Sequence, residues 1–228
     1  MNFTFGIVTN GNEDNRVNLI IDSIERQNIK NYEVIVVGPK MYDRNNTTAI
    51  VIEEDPRGHI TYKKNLIALS AKYDNIVFMH DYYILLDGWY DGQITNGEDF
   101  KVRMDKIINL DGTRFRDWCI WPHNGNWMDS IVKRECMIPY NVSHLSKFMY
   151  ISGGYWIAKK DVMLEFPLDN SLYWGQGEDV IWSKQVREKY SFQMNQYSVV
   201  QIIKPNKDRV FEETSPDVLR EILNNNLL

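Results

Sequence analysis

The first eighty residues alternate short apolar runs with amphipathic stretches. Phe3–Thr9 is a continuous apolar run that ends at Asn10-Gly11-Asn12, which predicts a buried strand closed by a turn. Val17, Ile20, Ile21 and Ile24 follow at the i, i+3, i+4, i+7 spacing of one helical face. Glu33–Val37 predicts a second buried strand, stopped by Gly38-Pro39, and Ala49–Ile52 a short third. Tyr62, Leu66 and Leu69 share a face of a helix over Tyr62–Ala71, and Asn75–Met79 reads as a fourth strand. Strands and helices in this rhythm predict a parallel sheet with right-handed crossovers. Ligands of such sheets bind outside the carboxyl ends of the strands. That directs attention to Thr9–Asn12, Gly38, Glu53–Asp55 and His80–Tyr82.

The second half has fewer clear crossovers, more aromatics and longer polar connections. Trp118–Trp121 and Phe148–Trp156 predict strands, and Asp179–Tyr190 a helix with Trp182, Val186 and Tyr190 in line. Gln196–Ile203 predicts a late strand, and Ser215-Pro216-Asp217 starts a final helix with an N-cap and a proline at its first position. At 228 residues and 43% hydrophobic, the chain suits one well-filled domain, 1–228, better than two.

Charge narrows the function. The formal net charge is −5 and Lys and Arg are scattered, which argues against nucleic acid as a partner. Lys63–Lys64 can still meet a phosphate. Cys119 and Cys136 lack metal-ligand spacing and read as reduced thiols. The N-terminus has no basic n-region, and no run approaches the ~18 apolar residues of a membrane span. A cytoplasmic protein is the expectation. Seven tryptophans and thirteen tyrosines include Trp118, Trp121, Trp127 and Trp174 beside Gly, Asn or Asp. Such aromatics stack on sugar faces or cover the ends of a sheet, and both readings stand.

Three constellations can carry chemistry. In Asn75–Tyr83 a buried strand delivers His80 and Asp81 at its carboxyl end. A carboxylate there, with diphosphate oxygens, can hold a hard divalent cation (Mn²⁺ or Mg²⁺), with imidazole as a further ligand. An ordinary surface turn is the alternative. Next, Ser152-Gly153-Gly154-Tyr155-Trp156 precedes Tyr173-Trp174-Gly175-Gln176-Gly177-Glu178-Asp179-Val180. Glycines let a backbone approach a ligand, and Glu178-Asp179 open a helix whose dipole favours ionised carboxylates. Asp179 is then a candidate base for a sugar hydroxyl; a capped helix with two solvated acids is the alternative. Third, Gly58–Asn65 sets Lys64 and Asn65 on the helix before the acidic strand, in reach of a phosphate or ribose or else on a solvated face.

Taken in order, these features resemble the GT-A-fold glycosyltransferases. Phe5–Asn10 matches that family's opening strand and polar turn. Lys64-Asn65 matches its basic residue plus Asn, and Val77–Tyr82 its hydrophobic strand ending in an acidic motif. Gly153-Gly154 with Trp174–Asp179 matches the acceptor-side motif of the galactosyltransferase branch. The resemblance covers roughly residues 3–190. It implies an α/β, Rossmann-like GT-A domain with a mixed, mostly parallel central sheet flanked by helices. A nucleotide-sugar half would lie at about 1–95 and an acceptor half at about 96–228. It also implies a metal-dependent transferase moving a sugar, with inversion, from a nucleotide-sugar to a carbohydrate hydroxyl. A UDP-sugar is favoured, with GDP- and TDP-sugars as alternatives. By the same resemblance Thr9, Asn10, Asp55, Lys64, Asn65, His80 and Asp81 face the donor, and Asp81 with His80 the metal. Gly153, Gly154, Trp174 and Glu178 orient the acceptor, and Asp179 is the base.

The sequence departs from the family in three places. His80-Asp81-Tyr82 carries one carboxylate where the family has Asp-X-Asp, and no histidine follows His144 to supply the branch's C-terminal ligand. Gly38 also stands where many relatives place a nucleotide-binding Asp, which leaves Asp55 for that contact. A retaining transferase, a sugar-nucleotide pyrophosphorylase and a non-catalytic sugar-binding module remain alternatives. A pyrophosphorylase would need a Gly-rich basic loop where Thr9–Asp14 is acidic. The chain also suits one domain of a larger synthase.

Overall fold

A computed structural model describes residues 1–12, 14–120, 136–205 and 211–224. The opening half follows the predicted alternation: β1 (Phe3–Val8), α1 (Asp14–Glu25), β2 (Tyr32–Gly38), β3 (Thr47–Val51), α2 (Ile60–Ser70) and β4 (Asn75–His80). β5 (Tyr83–Leu85), α3 (Trp89–Asn96) and β6 (Val102–Ile108) come next. β7 (Cys119–Ile120), β8 (Cys136–Met137), β9 (Met149–Tyr150), β10 (Tyr155–Lys159) and α4 (Lys160–Glu165) follow. The described chain closes with α5 (Glu178–Val186), β11 (Phe192–Ile202) and α6 (Pro216–Asn224).

Eight strands form one mixed sheet in the order β3-β2-β1-β4-β10-β6-β11-β5, and β8-β7-β9 form a small second sheet. The pairings among β3, β2, β1 and β4 are parallel, as is β6 with β11; β10 and β5 run antiparallel to their neighbours. β1 lies between two parallel partners and all six of its residues are buried, which explains its unbroken apolar run. Alternate residues supply opposite faces. Phe3, Phe5 and Ile7 pack with Val17, Ile20, Ile21 and Ile24 of α1, whereas Val8, Ile35 and Phe78 pack with Ile67 and Trp182 on the other face. Gly6 lets α2 approach, since a Cβ there would lie 2.3 Å from Ile67 Cγ2.

The second half corrects several boundaries. The strand expected over Phe148–Trp156 is two strands in different sheets, because the chain turns at Ser152–Gly154 between β9 and β10. The late helix stops at Val186, short of Tyr190, and the late strand begins at Phe192 and carries a register shift between Asn195 and Val199. Trp121 and Trp127 lie outside the described residues. Among the described residues no helix is long and apolar enough to cross a membrane.

Candidate functional site

The parallel pairing of β1 with β4 sets Val8 opposite His80, so both strands end side by side. The Asp81 N–H donates to the Val8 carbonyl across 3.2 Å. The Thr9 hydroxyl donates to Asp81 Oδ2 across 2.7 Å and accepts the Gly11 N–H at 3.0 Å. The carboxylate is therefore aimed by the end of the neighbouring strand. Gly38 is a glycine for the same reason: a Cβ there would sit 2.7 Å from the Thr9 carbonyl oxygen.

These strand ends open into a cleft of about 590 Å³, within the range of small-molecule sites. Its walls include Thr9, Asn10, Asp55, His80, Asp81 and Trp174, so six of the predicted residues share one cavity. Asn12, Arg57, Lys63 and Tyr82 join them. Asp55 is gripped by Arg57 through two side-chain bonds of 3.1 and 2.8 Å, which hold its carboxyl down at about 2. Arg57 also lies 3.8 Å over the Tyr173 ring. Trp174 is 69% exposed at the rim, tied by its N–H to the Gly58 carbonyl at 2.9 Å. Gly58 adopts φ +72°, and a Cβ there would lie 3.1 Å from Trp174 Cβ. Its exposed ring is a surface on which a sugar face can stack.

His80 is buried, with Nδ1 3.2 Å from the Tyr82 hydroxyl. Nε2 is buried without a hydrogen-bond partner among the described residues. Burial, then the charges of Lys64, Lys204 and Lys63, push the imidazole well below its ordinary range, so it is neutral near pH 7.

The acidic helix start lies just beyond. The His80 N–H donates to the Gly154 carbonyl at 2.9 Å, and the Gly153 N–H donates to Asp179 Oδ2 at 3.1 Å. Two consecutive glycines thus bridge the tip of β4 to the first turn of α5. A side chain at either would force its neighbours to shift. A Cβ on Gly153 would come within 2.9 Å of Asp179 Oδ2 and 3.0 Å of Glu178 Oε1, and one on Gly154 within 2.7 Å of the Tyr83 ring. Arg116, in the segment after β6, stands 3.5 Å from Asp179 Oδ2. Glu178 is buried, which raises its carboxyl above the ordinary range against the opposing charge of Lys64.

Gly153, Gly154, Glu178 and Asp179 are not among the cleft walls, and neither are Lys64 and Asn65. Lys64 is buried; its ammonium donates to the Gly153 carbonyl at 2.8 Å, lies 3.6 Å from Glu178 Oε1 and 4.6 Å from the centre of the Trp156 ring. It clamps the glycine turn to the acidic helix. Asn65 is engaged with Leu168 and Asn170 and lies outside the cleft walls, where it pins the 168–170 segment to α2. Lys63 takes the cleft position, joined to Glu54 and donating to the Thr9 carbonyl at 2.8 Å. Arg116 carried no spacing signal in the sequence, and Arg57 was missed because nothing in Asp55-Pro56-Arg57 marks it as the partner of Asp55.

A divalent ion would find Asp81 and the partnerless Nε2 of His80 as ligand atoms here. Among the described residues no three His, Cys, Asp or Glu side chains converge, so the remaining coordination would fall to a bound diphosphate and water. A neutral imidazole is the form that ligates.

No protein-family model matches the chain, and no curated protein matches it by sequence. Solved structures do. The crystal structure of S. aureus TarS residues 1–349 covers 99% of this chain and 64% of its own, at 14% identity and a TM-score of 0.56. The same protein in complex with UDP-GlcNAc covers 99% and 65%, at 14% identity and a TM-score of 0.59. GalNAc-T7, solved with UDP, GalNAc and Mn²⁺, covers 95% and 46%, at 12% identity and a TM-score of 0.67. The chain thus has the GT-A fold. It spans between 46% and 65% of the length of these three structures.

Proposed function

We propose that this chain is a glycosyltransferase that takes a sugar from a nucleotide-diphosphate-sugar, a UDP-sugar before a GDP- or TDP-sugar, and attaches it to a carbohydrate hydroxyl. The observation that most supports this reading is the Gly153-Gly154 bridge, which joins the main chain of His80, next to Asp81, to the Asp179 carboxylate. The fold shared with structures solved with UDP, UDP-GlcNAc and GalNAc supports the same reading.

In this reading the nucleotide lies between the ends of β1 and β4, with Asp55 and Asn10 toward the ribose and base and Asp81 toward the diphosphate. The acceptor stacks on Trp174 and is oriented by Glu178 and the glycine turn. Asp179 takes the acceptor hydroxyl proton as that oxygen forms its bond to the sugar's anomeric carbon. The bond from that carbon to the diphosphate oxygen breaks, and the electron pair leaves with the nucleoside diphosphate. Attack from the face opposite the leaving group inverts the anomeric centre. Arg116 and the Gly153 N–H both meet Asp179 Oδ2, which fixes where that carboxylate stands. A Mn²⁺ or Mg²⁺ held by Asp81 and His80 would supply charge neutralisation to the leaving diphosphate.

The test is a thermal-shift screen of UDP-, GDP- and TDP-sugars with and without Mn²⁺, since a ligand bound only by the folded state raises the midpoint by mass action. A metal-enhanced rise with one donor class supports the reading. No rise with any nucleotide-sugar, in either condition, rejects it.

A further inference from the structure

The two ring nitrogens of His80 are treated differently by their surroundings. The residue is buried and lines the cleft, and its Nε2 has no hydrogen-bond partner among the described residues. Its Nδ1 stands 3.2 Å from the Tyr82 hydroxyl. Which nitrogen carries the hydrogen of the neutral ring decides what Nε2 can do. With the hydrogen on Nε2, the cleft wall would hold a buried N–H without an acceptor, and the ring could not ligate through that atom. With the hydrogen on Nδ1, the Tyr82 oxygen accepts it and Nε2 presents a lone pair, which is what a divalent cation takes.

Tyr82 is held where it can make that contact. Its N–H donates to the His80 carbonyl at 2.7 Å, a three-residue turn about Asp81, and the two rings meet edge to face with centres 5.6 Å apart. Its carbonyl accepts the Ile203 N–H at 2.9 Å, so the end of β11 fixes its main chain. Its hydroxyl reaches over Gly154, where a Cβ would lie 3.1 Å from the oxygen. Gly154 in turn accepts the His80 N–H. Imidazole and phenol are thus set against each other by three separate segments of the chain.

We infer that Tyr82 is a positioning residue for cation binding: by accepting the hydrogen of His80 Nδ1, it fixes the tautomer that keeps the Nε2 lone pair open to a divalent ion shared with Asp81. This role rests on the cleft being the donor site, with the ion at Asp81 and His80. His80-Asp81-Tyr82 carries a single carboxylate, and its third residue then acts through its first. The hydroxyl hydrogen of Tyr82 remains free to turn to water or ligand in the cleft, whose wall Tyr82 forms.

The probes are Mn²⁺ and UDP. Bound Mn²⁺ is read by electron paramagnetic resonance, without UDP and at one fixed UDP concentration, and the His80 tautomer is read from the nitrogen NMR shifts of its ring in the metal-free protein. Tyr82→Phe removes the hydroxyl and keeps the ring. The unaltered protein should carry the hydrogen on Nδ1. Tyr82→Phe should move it toward Nε2 and weaken Mn²⁺ about 10- to 100-fold, the usual cost of losing the partner behind a ligating histidine. In a His80→Ala background, Tyr82→Phe should cost nothing further, because the hydroxyl acts through the ring. A hydrogen on Nε2 in the unaltered protein overturns the inference, and so does Mn²⁺ affinity unchanged by Tyr82→Phe. Equal weakening with and without His80 also overturns it, since the hydroxyl would then act by another route. Binding of UDP with no binding of Mn²⁺ would overturn the inference and leave the donor site in place. Failure of the unaltered protein to bind UDP in either condition would take the donor-site reading down as well.

Discussion

The main-chain N–H of Gly153 donates to Asp179 Oδ2 across 3.1 Å, and the space that a side chain at 153 would need is already taken by that carboxylate and by Glu178. The glycine is thus part of the acidic site as well as of the turn. Its neighbour Gly154 accepts from His80. The end of β4 and the first turn of α5 thus meet at one two-residue stretch of backbone.

Gly153→Ala should accordingly displace Asp179 and Glu178 while leaving the nucleotide cleft intact. Misplacing a reacting group by about 1 Å costs on the order of 100-fold in rate. Steady-state kinetics should show kcat falling by about that factor, with UDP affinity within twofold of the unaltered protein.

Thr9→Val removes the hydroxyl that aims Asp81 and keeps the side-chain volume. A hydrogen bond to a charged group contributes about 1.5–3 kcal/mol, so donor affinity should fall by roughly tenfold or more. Thr9→Ser keeps the donor and should retain binding. Calorimetric titration with the donor separates the two.

Removing Lys64 leaves Glu178 buried beside no ammonium. Breaking a buried pair from one side costs about 3–5 kcal/mol, and Lys64→Met should lower the denaturation midpoint accordingly. Adding Glu178→Gln to that background should recover part of the loss, because the uncompensated charge goes with it. Urea unfolding of the single and double variants measures the coupling.

Much of the first half was legible because its physics is local. Buried parallel strands need apolar runs, and α1 needs a stripe, so β1, β2, β4 and α1 stand in the sequence nearly as they stand in space. β6 was not legible. It lies inside the large sheet, yet reads Val-Arg-Met-Asp-Lys-Ile-Ile. Arg103 donates to Gln93 and the Gly97 carbonyl, and Asp105 accepts through Oδ2 from Trp89, Gln93 and Tyr155. Those partners come from other elements, and no window of sequence contains them all. The candidate site divides the same way. Asp81, Asp179 and the glycine pair carry motif signals. Arg116 meets Asp179 only because the folded chain brings the segment after β6 to the start of α5, and Lys64, expected at a phosphate, is turned inward to the glycine bridge.

Asp105 gives a pH prediction. Burial raises its carboxyl from 3.8 to about 6, against its hydrogen bonds to Tyr155, Gln93 and Trp89. A carboxyl whose folded-state value lies above its unfolded value favours the fold most at low pH, and that contribution is lost as pH rises from about 4 through about 6. The rise corresponds to roughly 3 kcal/mol. Unfolding free energies measured from pH 4 to 7 should include this decline in the unaltered protein, and Asp105→Asn should lack it.

The central claim is that Asp81 serves donor binding and Asp179 serves proton removal at one shared site. It is tested most directly by measuring donor affinity and transfer rate side by side in Asp81→Asn and Asp179→Asn. Asp179→Asn should bind the donor as the unaltered protein does and transfer its sugar about 10²- to 10⁴-fold more slowly, the range for loss of a general base. Asp81→Asn should lose donor affinity. Transfer at the unaltered rate by Asp179→Asn, with a donor shown to bind, would contradict the claim.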